Sequence, residues 1–193
     1  RFEHSAERAH PMYGLIHRSI RGYVKTTYGD TVWAQIERKA NLDESAFVSM
    51  QAYPDEVTVG LLVSASEELN EPLPGLLHEF GRYWVLHTAR LEYGPLFEFA
   101  GTDMLSFLRN LNAMHEQVAI SFSNLQQPGF ALETKEDGTL LLHYESIREG
   151  LTPFVIGLIH GLAENFHETV EVELVEARTD GAHHDVFRLR IAS

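Results

Sequence analysis

The sequence predicts an α+β domain: a helical N-terminal subdomain, then a C-terminal antiparallel sheet with one inserted helix. Three observations carry this. From residue 12 to residue 122 apolar side chains recur every three or four positions, the period of helices with one buried face. Pro128-Gly129 ends that pattern, and beyond it the period falls to two, as in strands that bury one face. A single apolar segment with helical spacing, 151–168, interrupts the strands.

In chain order, segment 12–28 sets Leu15, Ile16, Ser19, Ile20 and Tyr23 at helical spacing and closes at Gly29. Asp30 caps a second short helix, 31–40, with Trp33 and Ile36 inward. Residues 41–53 read as irregular, with one helical turn around 44–50. Pro54-Asp55 opens a helix with Val57, Leu61 and Leu62 as its buried stripe, fading at Asn70. Helix 73–91 follows, with Leu76, Leu77, Phe80, Trp84 and Leu86 apolar, and Gly94-Pro95 breaks the pattern before a short turn at 96–100. Thr102 is the expected N-cap of the next helix, with Asp103 favourable in its first turn. In the strand half, 130–135 and 139–148 flank Glu136-Asp137-Gly138, a hairpin turn. Segment 169–177 pairs through 179–184 with 186–191, turning Val170, Val172, Leu174, Phe187, Leu189 and Ile191 inward. Their outer faces set Glu171 and Glu173 against Arg188 and Arg190.

At 193 residues the chain is one domain. We divide it into an N-terminal extension of unknown origin, 1–11, which opens on Arg1 rather than Met, and a domain at 12–193. A net charge of −13 argues against nucleic acid or an anionic membrane as partner, since both select a basic face. There is no cysteine, hence no disulfide, thiolate ligand or cysteine nucleophile. No apolar run reaches the length of a membrane span and no signal peptide is visible, so the expected location is cytoplasmic.

Two constellations carry chemistry. Read as a strand, 140–148 sends Leu140, Leu142, Tyr144, Ser146 and Arg148 to one side, an apolar face ending in a phenol, a hydroxyl and a guanidinium. Such a trio suits carboxylates or phosphates; the plainer reading is a strand end turning toward solvent. Between 102 and 122, His115 falls in line with Leu105, Leu108, Leu111 and Val118. It is either a core histidine bonded to a backbone carbonyl or a ligand. A neutral imidazole in a dry pocket, with an anion clamp some way off, matches what heme requires: one axial nitrogen and partners for two propionates.

At these residues the chain resembles the H-NOX family, the heme-nitric oxide/oxygen binding domain also found at the N-terminus of soluble guanylate cyclase. The matching stretches are Met12-Tyr13-Gly14-Leu15-Ile16, Phe107-Leu108-Arg109-Asn110-Leu111-Asn112-Ala113-Met114-His115 and Tyr144-x-Ser146-x-Arg148. Glu149-Gly150-Leu151 and Ile156-Gly157-Leu158-Ile159 continue the likeness, which runs from residue 12 to about 192. The resemblance implies heme b (iron protoporphyrin IX) buried between the helical part and the sheet. It implies His115 as iron ligand and Tyr144, Ser146 and Arg148 as propionate partners, with Arg148 compensated by the cofactor in a dry place. By analogy, Ile16, Ile20, Trp84 and Phe154 line the gas side, Pro128 presses on the heme, and Met12, Leu111 and Met114 complete the pocket. Oxygen-binding relatives place a Tyr three residues before the Gly matched by Gly157; here that position is Phe154. The resemblance therefore implies a sensor of nitric oxide and carbon monoxide that forms no stable dioxygen complex.

In the family, nitric oxide releases the axial His and shifts the domain, so the expected partner is an effector: a histidine kinase, a diguanylate cyclase or a fused cyclase. A heme or gas carrier without a signalling partner would use the same residues. An enzyme using His115 with Glu116 or Asp103 is the third class, and the expectation is no catalytic activity, since no nucleophile elbow, P-loop or dinucleotide fingerprint occurs. His183-His184 reads as an exposed turn, and His17, His78, His87, His143, His160 and His167 share no metal-ligand spacing.

Overall fold

Extended backbone becomes helix at Gly14, a position that admits no side chain because a Cβ there would overlap the Val48 carbonyl. The computed structural model describes residues 12–121 and 127–192, so the extension 1–11 lies outside the described residues. Two compact units divide the chain, one ending at Leu73 and the other running from Pro74.

In the first unit β1 (Met12–Tyr13) pairs antiparallel with β2 (Ala52–Tyr53), Met12 opposite Tyr53. This small ribbon replaces the first helical residues expected at 12–13. α1 (Gly14–Tyr28) and α2 (Asp30–Lys39) meet at Gly29, whose φ of 91° lies in the region glycine tolerates. A 3-10 turn (Glu44–Phe47) is capped by the Asp43 carboxylate, which accepts from Ser45 N–H at 2.8 Å. α3 (Asp55–Leu69) ends at Asn70 in a left-handed conformation.

His17 is wholly buried in this unit: Nδ1 lies 2.7 Å from the Ala46 carbonyl and Nε2 2.8 Å from Thr58 Oγ1. The carbonyl can only accept, so Nδ1 carries the proton and Nε2 accepts from the threonine hydroxyl. Burial lowers the His17 pKa, partly offset by the Ala46 carbonyl.

In the second unit α4 (Leu73–Tyr83) passes without a break into a π-helical segment, Trp84–Ala89, and then into α5 (Arg90–Ala100). The sequence-predicted single α-helix over 73–91 is therefore two helices joined by a wider turn. Gly94-Pro95 kinks rather than ends the run, with Tyr93 at φ −128°, ψ 21° absorbing the bend. α6 (Met104–Ser121) begins one residue later than expected: Asp103, not Thr102, is the cap. Its carboxylate accepts from Ser106 N–H at 2.8 Å, while Asp103 N–H donates to Ser106 Oγ at 3.3 Å, a reciprocal capping pair.

The sheet runs β3 (Gly129–Thr134), β4 (Leu140–Glu145), β6 (Asp185–Ala192), β5 (Thr169–Glu176) in spatial order, all antiparallel. α7 (Thr152–Asn165) is the inserted helix, and a 3-10 turn (Arg178–Asp180) links β5 to β6. The expected charge ladder is present, Arg188–Glu173 at 2.6 Å and Arg190–Glu171 at 3.2 Å. A register shift after Leu174 turns that residue partly outward, against the inward position expected of it. α4 and α7 cross at backbone contact, because a Cβ on Gly157 would overlap the His78 carbonyl and one on Gly81 the Phe154 carbonyl.

Two predictions follow from the packing. Alanine at position 157 gains about 1 kcal/mol of helix propensity but meets a backbone carbonyl that no rotamer change can clear, so Gly157→Ala loses about 2 kcal/mol net. A urea midpoint equal to or above that of the wild type contradicts this. For His17, the unfolded chain takes up a proton below about pH 6.5 while the folded ring resists it, so stability falls as pH drops through that value. Between about pH 7.5 and 5.5 the wild type should lose more stability than His17→Gln; equal losses contradict the assignment.

Candidate functional site

α6 is fixed before it delivers anything to a site. The Asp103–Ser106 pair holds its start, the Glu168 carboxylate accepts from Met104 N–H at 2.9 Å, and Asn110 Nδ2 donates to the Ala100 carbonyl at 2.8 Å. Further along, the Asn112 amide brackets the backbone of Phe130: Phe130 N–H donates to Oδ1 at 3.0 Å, and Nδ2 donates to the Phe130 carbonyl. This clamp locks β3 onto α6.

So held, the helix turns Phe107, Leu108, Leu111, Met114 and His115 into a cavity of about 80 Å³. Trp84, Val85 and Ala89 of the π-helical segment, Phe130 and Leu142 of the sheet, and Val155, Leu158, Ile159 and Leu162 of α7 complete most of the wall. A π-helical turn offsets the residues around it relative to α-helical spacing, which is how Trp84, Val85 and Ala89 come to line one cavity.

His115 Nδ1 is fully buried and, among the described residues, has no hydrogen-bond partner. Burial drives the ring's pKa down to about 4. The Pro128 backbone carbonyl lies close enough to favour the protonated form and offsets part of that fall, without taking a bond of ordinary geometry. The imidazole is thus neutral at pH 7, the form that binds a metal.

A second, polar cavity of about 280 Å³ gathers Tyr144, Ser146, Arg148, Thr152, Arg178 and Asp185. Phe130 links the two: its ring lies 5.8 Å from that of His115 and 5.3 Å from that of Tyr144. The trio is brought together by a turn rather than by strand alternation, because β4 stops at Glu145. Past it, Arg148 N–H donates to Ser146 Oγ at 3.1 Å. Burial raises the Tyr144 pKa; the Ser146 hydroxyl, Arg148 and Arg178 pull it back, and Asp185 pushes it up. Arg148 is half-buried, so the fully dry place expected for it is not what surrounds it.

The remaining sequence-predicted residues are placed as follows. Leu111, Met114 and Trp84 line the apolar cavity; Phe154 does not, its ring packing on Phe80 at 5.5 Å. Pro128 is half-buried just before β3. Met12, Ile16 and Ile20 belong to the first unit, where Ile20 is buried. Two histidine pairs went unread because their partners are far apart in sequence: His143 Nδ1 to His184 Nε2 at 2.9 Å, and His78 Nε2 to His160 Nδ1 at 2.8 Å. No group of three metal-ligating side chains occurs among the described residues.

The apolar wall, the neutral imidazole and a separate polar cavity that holds Tyr144, Ser146 and Arg148 fit the donor set that heme requires. The space is the poorer match, since about 80 Å³ is well below the roughly 300–1,000 Å³ of organic-ligand pockets. A tetrapyrrole seated against His115 requires wall side chains to move outward or the macrocycle to project beyond them.

Comparison with known proteins bears on this site. The profile of the Haem-NO-binding family, HNOB, matches residues 13–174. Among relatives, soluble guanylate cyclase gcy-35 of Caenorhabditis elegans is 29% identical over 181 residues, covering 91% of this chain and 26% of that protein. Soluble guanylate cyclase gcy-31 of the same organism is 26% identical over 180 residues, covering 92% and 26%. The chain thus spans about a quarter of the length of the curated relatives it matches. In fold it is similar to an H-NOX protein from S. oneidensis solved in an Fe(II)NO ligation state, with a TM-score of 0.83, 19% identity, and coverage of 94% of this chain and 100% of that one. On the family match along most of its length, the chain belongs to the Haem-NO-binding (H-NOX) family.

Proposed function

We propose that this domain binds heme b through His115 and senses nitric oxide and carbon monoxide at the opposite face. The observation that carries the reading is the half-buried, neutral His115 set in an apolar wall, its Nδ1 fully buried and without a partner among the described residues. Ferrous heme supplies an open coordination position for a diatomic gas. The chain's own residues do the rest. The apolar wall excludes water, and Tyr144, Ser146 and Arg148 offer hydrogen bonds and charge to the two propionates.

Selectivity follows from what the wall lacks. Among its lining residues only His115 and Trp84 carry side-chain donors. Bound dioxygen is polar and needs a donor more than nitric oxide does, which favours nitric oxide and carbon monoxide. α6 is pinned at its start and clamped through Asn112 to β3, so a displacement of the helix on release of His115 by nitric oxide would pass to the sheet. The output goes to an effector, whether a fused cyclase, a histidine kinase or a diguanylate cyclase; the domain itself is not the catalyst. Among the described residues no helix is long and apolar enough to cross a membrane. We place its action in the cytoplasm.

The reduced protein should show a Soret band that shifts with nitric oxide and with carbon monoxide and stays put in brief contact with air. A stable oxy spectrum contradicts the selectivity. His115→Gly should lose heme unless imidazole is added, whereas an unchanged Soret band in that variant removes the ligand assignment. Arg148→Ala should weaken heme retention about tenfold more than Ser146→Ala, because a charge-assisted bond is lost rather than a neutral one. Equal, negligible losses would speak against the clamp.

A further inference from the structure

The Tyr144-x-Ser146-x-Arg148 turn is held by more than its own bond from Arg148 N–H to Ser146 Oγ. It leaves the sheet at Glu145 and runs through Gly150, whose φ of 75° no ordinary side chain favours. What grips it is Arg178, about thirty residues further on, in the 3-10 turn between β5 and β6. Arg178 Nη1 donates to the Ser146 carbonyl at 2.6 Å and Nη2 pairs with the Glu149 carboxylate at 3.4 Å, so one planar guanidinium spans both ends of the turn. Arg178 is itself fixed from behind. Its backbone N–H donates at 2.8 Å to Asp185, a buried carboxylate whose other oxygen takes the Thr152 hydroxyl at 2.5 Å. Asp185 is thereby occupied, and the Glu149 side chain is largely exposed. The polar cavity is lined by two guanidiniums, Arg148 and Arg178, together with the Glu149 and Asp185 carboxylates.

We propose that Arg178 is a positioning residue of the heme propionate clamp: it holds the Ser146–Arg148 turn in the shape that receives a carboxylate. This rests on the heme-binding reading above. The residue acts through the turn, so its removal is felt in proportion to the anionic groups the turn receives.

The test is heme loss from the full chain to excess apomyoglobin, measured for wild type, Arg178→Gln and Arg178→Lys. Each is loaded either with heme or with its propionate dimethyl ester, which lacks the anionic groups. Arg178→Gln should lose heme about tenfold faster than wild type, as expected for one charge-assisted contact, with ester loss unchanged. Arg178→Lys keeps the charge without the fork and should fall between them; it carries the test alone if the Gln variant does not fold. Equal acceleration for heme and ester makes Arg178 a merely structural residue and overturns the proposal, as does no acceleration at all. A wild type that takes up no heme overturns the functional reading itself, and this inference with it.

Discussion

An imidazole nitrogen buried without a hydrogen-bond partner is a cost, about 1–3 kcal/mol for an ordinary polar group, and folded proteins seldom keep such a cost without a use for it. His115 Nδ1 is that nitrogen among the described residues, and much of the second unit is arranged to put it there. The capping pair at Asp103 and Ser106 sets where α6 begins, and Glu168 and Asn110 pin its first turns. Asn112 fixes the strand that presents Phe130 to the ring. Were the helix to slip by one residue, the ring would rotate by about 100° about the axis and leave the apolar wall.

The two cavities divide the work by dielectric. Around His115 the wall is hydrocarbon and aromatic, which keeps the imidazole neutral and leaves one ring nitrogen with a lone pair for a metal. Around Arg148 and Arg178 the groups are charged and partly wet, where an anion can be received without the penalty of a fully buried ion pair. Phe130 and Tyr144 form the boundary, their rings packed at 5.3 Å, with the Tyr144 phenol on the polar side beside Ser146. A ligand with an apolar body and acidic tails is matched by both halves.

What could be read from the sequence was what depends on local period and charge. The α+β class, the hairpin around Gly138, the end of α3 at Asn70 and the facing of Glu171 and Glu173 with Arg190 and Arg188 all follow from side-chain alternation or backbone chemistry. His115 was legible because it interrupts an apolar stripe. What depends on packing at a distance was not. The π-helical segment Trp84–Ala89 looks like ordinary helix, since its wide turn is a response to neighbours. Ser146 and Arg148 were read as strand residues, while a turn places them. Arg178 sits in a turn with no motif around it, and the pairs His143–His184 and His78–His160 join residues 41 and 82 positions apart. Phe154 is expected on the gas side by analogy with the family, yet its ring packs on Phe80.

The central claim, an iron–imidazole bond made by residue 115, is most directly tested by resonance Raman spectroscopy of the ferrous protein. The account predicts a low-frequency iron–histidine stretching band that moves when histidine is labelled with nitrogen-15 and disappears when nitric oxide is added. A ferrous heme spectrum lacking any band sensitive to that label would contradict it.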